Sequence, residues 1–205
     1  MMNDFEERLF EMGDLCHLAM SKAMQAFMES DKELALQVVE GDKIINYHEE
    51  VINDQAIEIL TLMQPVAKDL RLLIGGIKAV NDLERIGDYA KNISRFVINL
   101  NIVDDKYVQE VLNLTKLFLK NFTEVLNVLK NRDTKEAYRV ASLDSDLDVA
   151  VDKFVKMLAF NEFKNDLVTV ELTNIVQNIE RAGDHAKNIC EQVIYIEKGR
   201  YIDFG

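Results

Sequence analysis

Two stretches of this chain place carboxylates at a spacing that suits a cation. Residues 81–93 read NDLERIGDYAKNI and residues 177–189 read QNIERAGDHAKNI, identical at eight of thirteen positions. Each sets a glutamate four residues before an aspartate, Glu84–Asp88 and Glu180–Asp184. On a helix this spacing puts like charges on adjacent turns, which is mildly destabilising. The nearby amides Asn81, Asn92 and Asn188 are also poor choices for a helix interior. A helix that needed only solubility would carry Glu→Lys pairs there, so something must neutralise the charge. One candidate is the adjacent arginine, Arg85 or Arg181. The other is a bound metal: magnesium and calcium take carboxylate and amide oxygens, and iron and manganese accept them too. The absence of a shared histidine or cysteine argues against zinc and copper. A single Glu-x-x-x-Asp would read as a solvated helix face; recurrence in identical context is what favours a site.

Further oxygen ligands come from elsewhere. Asp42, Asn46 and Glu49 are spaced to share one helix face, and an echo of that segment supplies Asp144 and Asp148, with Val151 where Glu49 stands. The motifs repeat at an offset of 96 residues and the echoes at 102, so six residues are lost between them, most simply around Pro65. Internal duplication explains both.

These residues need helices to hold them. Apolar periodicity runs almost throughout. The breaks are Ser30-Asp31, Gln64-Pro65, the polar run 99–105, the capped turn at 131–134 and Asn165-Asp166. They predict six long helices, at about 4–29, 32–62, 67–99, 105–130, 134–162 and 167–198. Short links imply antiparallel neighbours. The expected fold is therefore all-α: two homologous antiparallel three-helix bundles, over residues 1–102 and 103–205. In the motif helices Leu83, Ile86, Ala90, Ile93, Val97 and Leu100 form a core stripe, matched by Ile179, Ala182, Ala186, Ile189, Val193 and Ile196. On the same helical wheel the acidic line falls opposite and is expected to project outward. Gly87 and Gly183 sit mid-helix at a cost of about 1 kcal/mol each, which points to a close helix–helix contact.

Composition agrees and narrows the function. The 205 residues are 48% hydrophobic with one proline and eight glycines, too little punctuation for a β-rich fold. The net charge of −12 disfavours nucleic acid and anionic lipid as partners of the bulk surface and favours cations and basic proteins. Cys16 and Cys190 belong to no CxxC pair and read as reduced, structural thiols of a cytosolic protein. The first residues show no signal-peptide pattern, and no apolar run reaches about 18 residues, so no transmembrane segment is expected. A carboxylate-bridged di-iron enzyme would need Glu-x-x-His on two helices, a motif absent here, as are a P-loop, HExxH and a nucleophile elbow. No enzyme is expected and no catalytic residue is assigned.

The repeated [DN]-[LI]-E-R-x-G-D-x-A-K-N-I motif resembles that of the PhoU family of phosphate-uptake regulators. So do Gln64-Pro65-Val66-Ala67-Lys68-Asp69-Leu70-Arg71, ahead of the third helix, and Gly41-Asp42 with Asn46 and Glu49. The likeness covers the chain twice over. It implies a cytoplasmic regulator, peripheral at the membrane through protein partners, that represses phosphate-starvation signalling and restrains phosphate uptake. Its implied partners are the ATPase subunit of the phosphate ABC transporter and the phosphate-sensing histidine kinase, and a homodimer is expected. It also implies divalent or ferric ions (iron, manganese or magnesium) at Glu84–Asp88 and Glu180–Asp184. Free phosphate would avoid such an acidic face unless a metal bridged it. Two departures stand out: Val151 replaces an acidic residue, and His185 stands where the first copy has Tyr89. The alternatives are a helical accessory protein of a low-affinity phosphate transporter and a metal-dependent helical-bundle enzyme.

Overall fold

The computed structural model describes residues 1–99, 105–159 and 167–204, all helix and short links with no strand among them. The helices are α1 (Met2–Glu29), α2 (Lys32–Met63), α3 (Lys68–Asn99), α4 (Asp105–Asn131), α5 (Thr134–Ala141), α6 (Asp144–Ala159) and α7 (Leu167–Lys198). The expected link at 99–105, with the boundary between residues 102 and 103, and the turn at Asn165-Asp166 fall largely or wholly outside the described residues.

The two halves are joined inside by the same devices. Between α1 and α2, Ser30 takes the left-handed conformation and the Asp31 carboxylate accepts from Leu34 N–H at 2.9 Å. Between α4 and α5, Arg132 takes that conformation and Asp133 accepts from Lys135 and Glu136 N–H. The left-handed residue ends one helix and the aspartate caps the orphan N–H groups of the next. These links are 102 residues apart, the offset of the weaker sequence echo.

The second half departs from the expected single helix over 134–162. It breaks at Ser142-Leu143 into α5 and α6. The Ser142 hydroxyl donates to Arg139 C=O at 2.6 Å and Ser145 to Ser142 C=O at 2.9 Å, offering the backbone local partners that compete with the helix ladder. The Asn121 amide, from α4, donates to Leu143 C=O at 3.3 Å. The break also places Asp144 in the first turn of α6, where the helix dipole favours a carboxylate.

Helices α3 and α7 are central. Helix α3 packs against α1, α2 and α7, and α7 against α3, α4, α5 and α6. The expected stripes are buried, from Leu83 to Val97 and from Ile179 to Ile196, with Leu100 outside the described residues. The core runs continuously through both halves. Tyr89 and His185, equivalent in the two motifs, meet ring to ring at 5.7 Å. The two copies of the motif therefore meet at equivalent residues along the α3–α7 contact. Both cysteines are free and buried, and the Cys16 thiol donates to Leu83 C=O at 3.1 Å.

Candidate functional site

The repeated glycines let a middle helix approach a motif helix. A Cβ on Gly87 would lie 2.9 Å from the Ile45 side chain. One on Gly183 would lie 2.7 Å from Leu147 and 2.8 Å from an Asp144 oxygen. The close approach brings Asp42 over α3 and Asp144 over α7, both buried at 7% exposure.

What meets them is a lysine. Lys91 Nζ donates to Asp42 at 2.7 Å and to Asp88 at 2.6 Å. Lys187 Nζ lies 2.9 Å from Asp144 and 3.4 Å from Asp184. In each half, then, an ammonium ties the motif aspartate to the buried aspartate of the middle helix. Burial pulls the Lys91 ammonium down, but its bonds to Asp42 and Asp88 outweigh that and hold its pKa above the ordinary value; Lys187 is raised for the same reasons by Asp144 and Asp184. The counter-ions expected from the sequence, Arg85 and Arg181, are therefore not the ones that bridge the helices. The signal for the lysines was present in the sequence: both are identical in the repeat and three residues beyond the aspartate. Arg85 does lie 3.7 Å from Glu84 and 3.5 Å from Asp88, but it remains exposed.

The acidic line faces outward only in part: Asp184 is exposed, whereas Glu180 is half-buried. Glu84 and Asp88 are half-buried, because α3 has neighbours on three sides and its acidic edge lies along α2. Burial first, then Asp88 and Glu49, push the Glu84 carboxyl up to about 7 against the opposing pull of Arg85. Burial also raises Glu180, helped by Asp148 and Asp184. Burial raises Asp148, with Asp184 adding to it against Lys187. Burial raises Asp144 as well, although Lys187 opposes it. The carboxylates therefore form two groups of four: Glu49, Glu84 and Asp88 with Asp42 joined through Lys91, and Asp144, Asp148, Glu180 and Asp184.

Not every residue expected in the groups joins them. Asn46 donates to Asp42 at 3.2 Å. Asn81 is exposed, Asn92 half-buried, and neither hydrogen-bonds to these carboxylates. Asn188 turns the other way and donates to Asp82 at 3.2 Å across the α3–α7 contact, where His185 also meets Asp82 at 2.8 Å. Val151 is core. The second group keeps four carboxylates because Asp148, one turn after Asp144, replaces the one that Glu49 supplies two turns after Asp42.

For cation chemistry the donor set fits: carboxylate oxygens, one amide, and a buried Asp42 oxygen with no hydrogen-bond partner. The geometry is that of the lysine-bridged state. Among the described residues, no three His, Cys, Asp or Glu side chains converge closely enough to ligate one ion as they stand.

A similar chain shape and related sequences occur in known proteins. A crystal structure of the phosphate transport system regulatory protein PhoU from Streptococcus pneumoniae superposes with a TM-score of 0.91 at 25% identity, over 99% of this chain and 98% of that one. PhoU from Pseudomonas aeruginosa does so with a TM-score of 0.91 at 32% identity, over 97% of each. In sequence, a phosphate-specific transport system accessory protein PhoU homolog of Zymomonas mobilis is 34% identical over 194 residues, 93% of this chain and 82% of its own length. Its Rhizobium meliloti counterpart is 32% identical over 197 residues, 94% of this chain and 83% of its own. No described helix is long and apolar enough to cross a membrane. The family model for the PhoU domain matches twice, over residues 9–97 and 111–193, once on each half, and the chain belongs to that family.

Proposed function

We propose that this protein is a non-enzymatic regulator of phosphate uptake and phosphate-starvation signalling. It works in the cytoplasm as a homodimeric adaptor between the ATPase subunit of a phosphate ABC transporter and a sensor histidine kinase. The carrying observation is the paired match to the PhoU domain, set on relatives named as accessory proteins of phosphate-specific transport. Deleting the gene should derepress phosphate-starvation genes and phosphate uptake in phosphate-rich medium. Unchanged expression and uptake would overturn this reading.

The two carboxylate groups are the proposed cation sites of that adaptor. In the first, Asp42, Glu49, Glu84 and Asp88 would hold a divalent or ferric ion, with Asn46, Asn81 and Asn92 at its edge. In the second, Asp144, Asp148, Glu180 and Asp184 would do so, with Asn188 beyond it. When bound, the ion supplies positive charge that turns like-charge repulsion into attraction. Lys91 and Lys187 supply that charge without it, so metal and ammonium compete for the same oxygens. Calorimetry with iron, manganese or magnesium should show binding that Glu84→Gln/Asp88→Asn and Glu180→Gln/Asp184→Asn weaken. Equal binding by the amide variants would leave the groups as lysine-bridged helix contacts.

A further inference from the structure

Beyond α7 the chain reverses and runs back along it. Gly199 ends the helix at φ 67°. Tyr201 stacks on Tyr195 at 4.3 Å, and Phe204 N–H donates to Glu191 at 2.9 Å. Phe204 then stands edge to face against Tyr138, ring centroids 5.7 Å apart. The two rings wall a surface cleft of about 430 Å³ that is lined also by Asp144, Asp148 and the Lys187 bound to Asp144.

The residues that line the cleft are not all repeated in the first half. At the offset of 102, Tyr138, Ser145 and Asp148 correspond to Leu36, Lys43 and Asn46, and at the motif offset of 96 Phe204 corresponds to Val108. At those positions the first half keeps the carboxylate of Asp42 in the place of Asp144, but it has Leu36 in place of the Tyr138 ring, an amide in place of the Asp148 carboxylate and the Lys43 cation in place of Ser145.

We propose that this cleft receives a guanidinium: an arginine side chain on a basic segment of a protein partner. The cleft is an order of magnitude larger than one liquid water, which occupies about 30 Å³, and has room enough for a planar side-chain head group. Polarity selects a donor. The hydroxyl protons of Ser142 and Ser145 are committed to backbone carbonyls, so towards the cleft both side chains offer only acceptor lone pairs. Asp148 makes no hydrogen bond or ion pair with any described residue, whereas the charge of Lys187 is answered by Asp144 and Asp184. Aromatic walls over a free carboxylate suit a flat, weakly hydrated cation that stacks and donates in its own plane. The net charge of −12 draws a basic segment in.

The test is NMR titration of the full chain in chelator-treated buffer with N-acetyl-arginine amide, against its uncharged isostere N-acetyl-citrulline amide and against spermidine. The arginine amide should shift the amides of Tyr138, Ser145, Asp148 and Phe204 saturably, and the citrulline amide should not. Asp148→Asn should weaken binding at least fivefold and Phe204→Ala at least threefold. The proposal is overturned by equal saturation with citrulline, by an unchanged affinity in Asp148→Asn, by tighter binding of spermidine, or by equal shifts at Leu36, Lys43 and Asn46. Because no metal is present, these outcomes do not depend on the carboxylate groups binding one.

Discussion

At the scale of single residues, charge answered from within explains the motif better than charge left open. A carboxylate pair at i, i+4 is unfavourable alone, yet Lys91 and Lys187 meet the aspartate of each pair and a second, buried aspartate as well. Removing Lys91 would leave Asp42 buried and unpaired. Lys91→Met should destabilise the protein by about 3–5 kcal/mol in urea unfolding, the usual cost of breaking a buried pair from one side. Lys91→Met with Asp42→Asn should recover a large part of that loss. Glu84 has only the exposed Arg85 beside it, at 3.7 Å. Its carboxyl titrates near 7 in the folded chain against an ordinary value of 4.5. The folded state therefore holds more protons than the unfolded state between those values, and stability falls as pH rises through that window. Glu84→Gln removes the slope. The variant should match the parent near pH 4.5 and exceed it above pH 7, read as denaturation midpoints across that range.

At the scale of helices, the close approach at the glycines positions the acidic groups. Gly183→Ala gains about 1 kcal/mol of helix propensity but drives a methyl into Leu147 and the Asp144 carboxylate. The net result should be a loss of about 1–2 kcal/mol, within the usual cost of overpacking. Gly41 is the internal control. It too lies mid-helix, but an added Cβ meets nothing within 4 Å, so Gly41→Ala should stabilise by about 0.5–1 kcal/mol in the same assay. The sequence made much of this level legible: the core stripes, the capped turns and the glycine contacts are periodic or repeated, and local rules govern them. The α5–α6 break was not legible, because a serine inside an amphipathic pattern is compatible with an unbroken helix. Only tertiary partners, among them Asn121 on Leu143, decide the matter. The direction of the acidic line was only partly legible for a related reason. A helical wheel supposes one buried face and one open face, and α3 has neighbours on three sides. Asn188 shows the same limit: its register matches the motif, but α3 lies close enough to engage it through Asp82.

At the scale of the whole molecule, duplication has produced one body and not two linked ones. A repeat that could stand alone would present a polar α3 surface to its twin. Instead a Cβ on Gly75 of α3 would lie 2.6 Å from the buried Ile196 of α7, and the half-buried polar residues there are answered across the contact, Tyr89 by His185 and Asp82 by His185 and Asn188. Helix α1 also packs on α4, and Arg132, from the second half, pairs with Glu6 at 2.5 Å in the first. With apolar core continuous across this boundary, unfolding one half would expose the flank of the other, and that exposed area opposes any half-folded state. The chain should therefore unfold in a single cooperative transition although the family motif occurs twice. The protein contains no tryptophan, so single probes report cleanly. Phe96→Trp would watch the first half and Tyr107→Trp the second, both at half-buried sites packed on the core. Fluorescence midpoints of the two variants, each corrected by its own circular-dichroism midpoint, should coincide, and calorimetric and van't Hoff enthalpies should agree. His185→Ala, at the contact, should lower the midpoint of both probes equally. Midpoints that separate, or a loss confined to the second-half probe, would mean that the halves are independent units and that the α3–α7 contact is a docking surface instead of shared core.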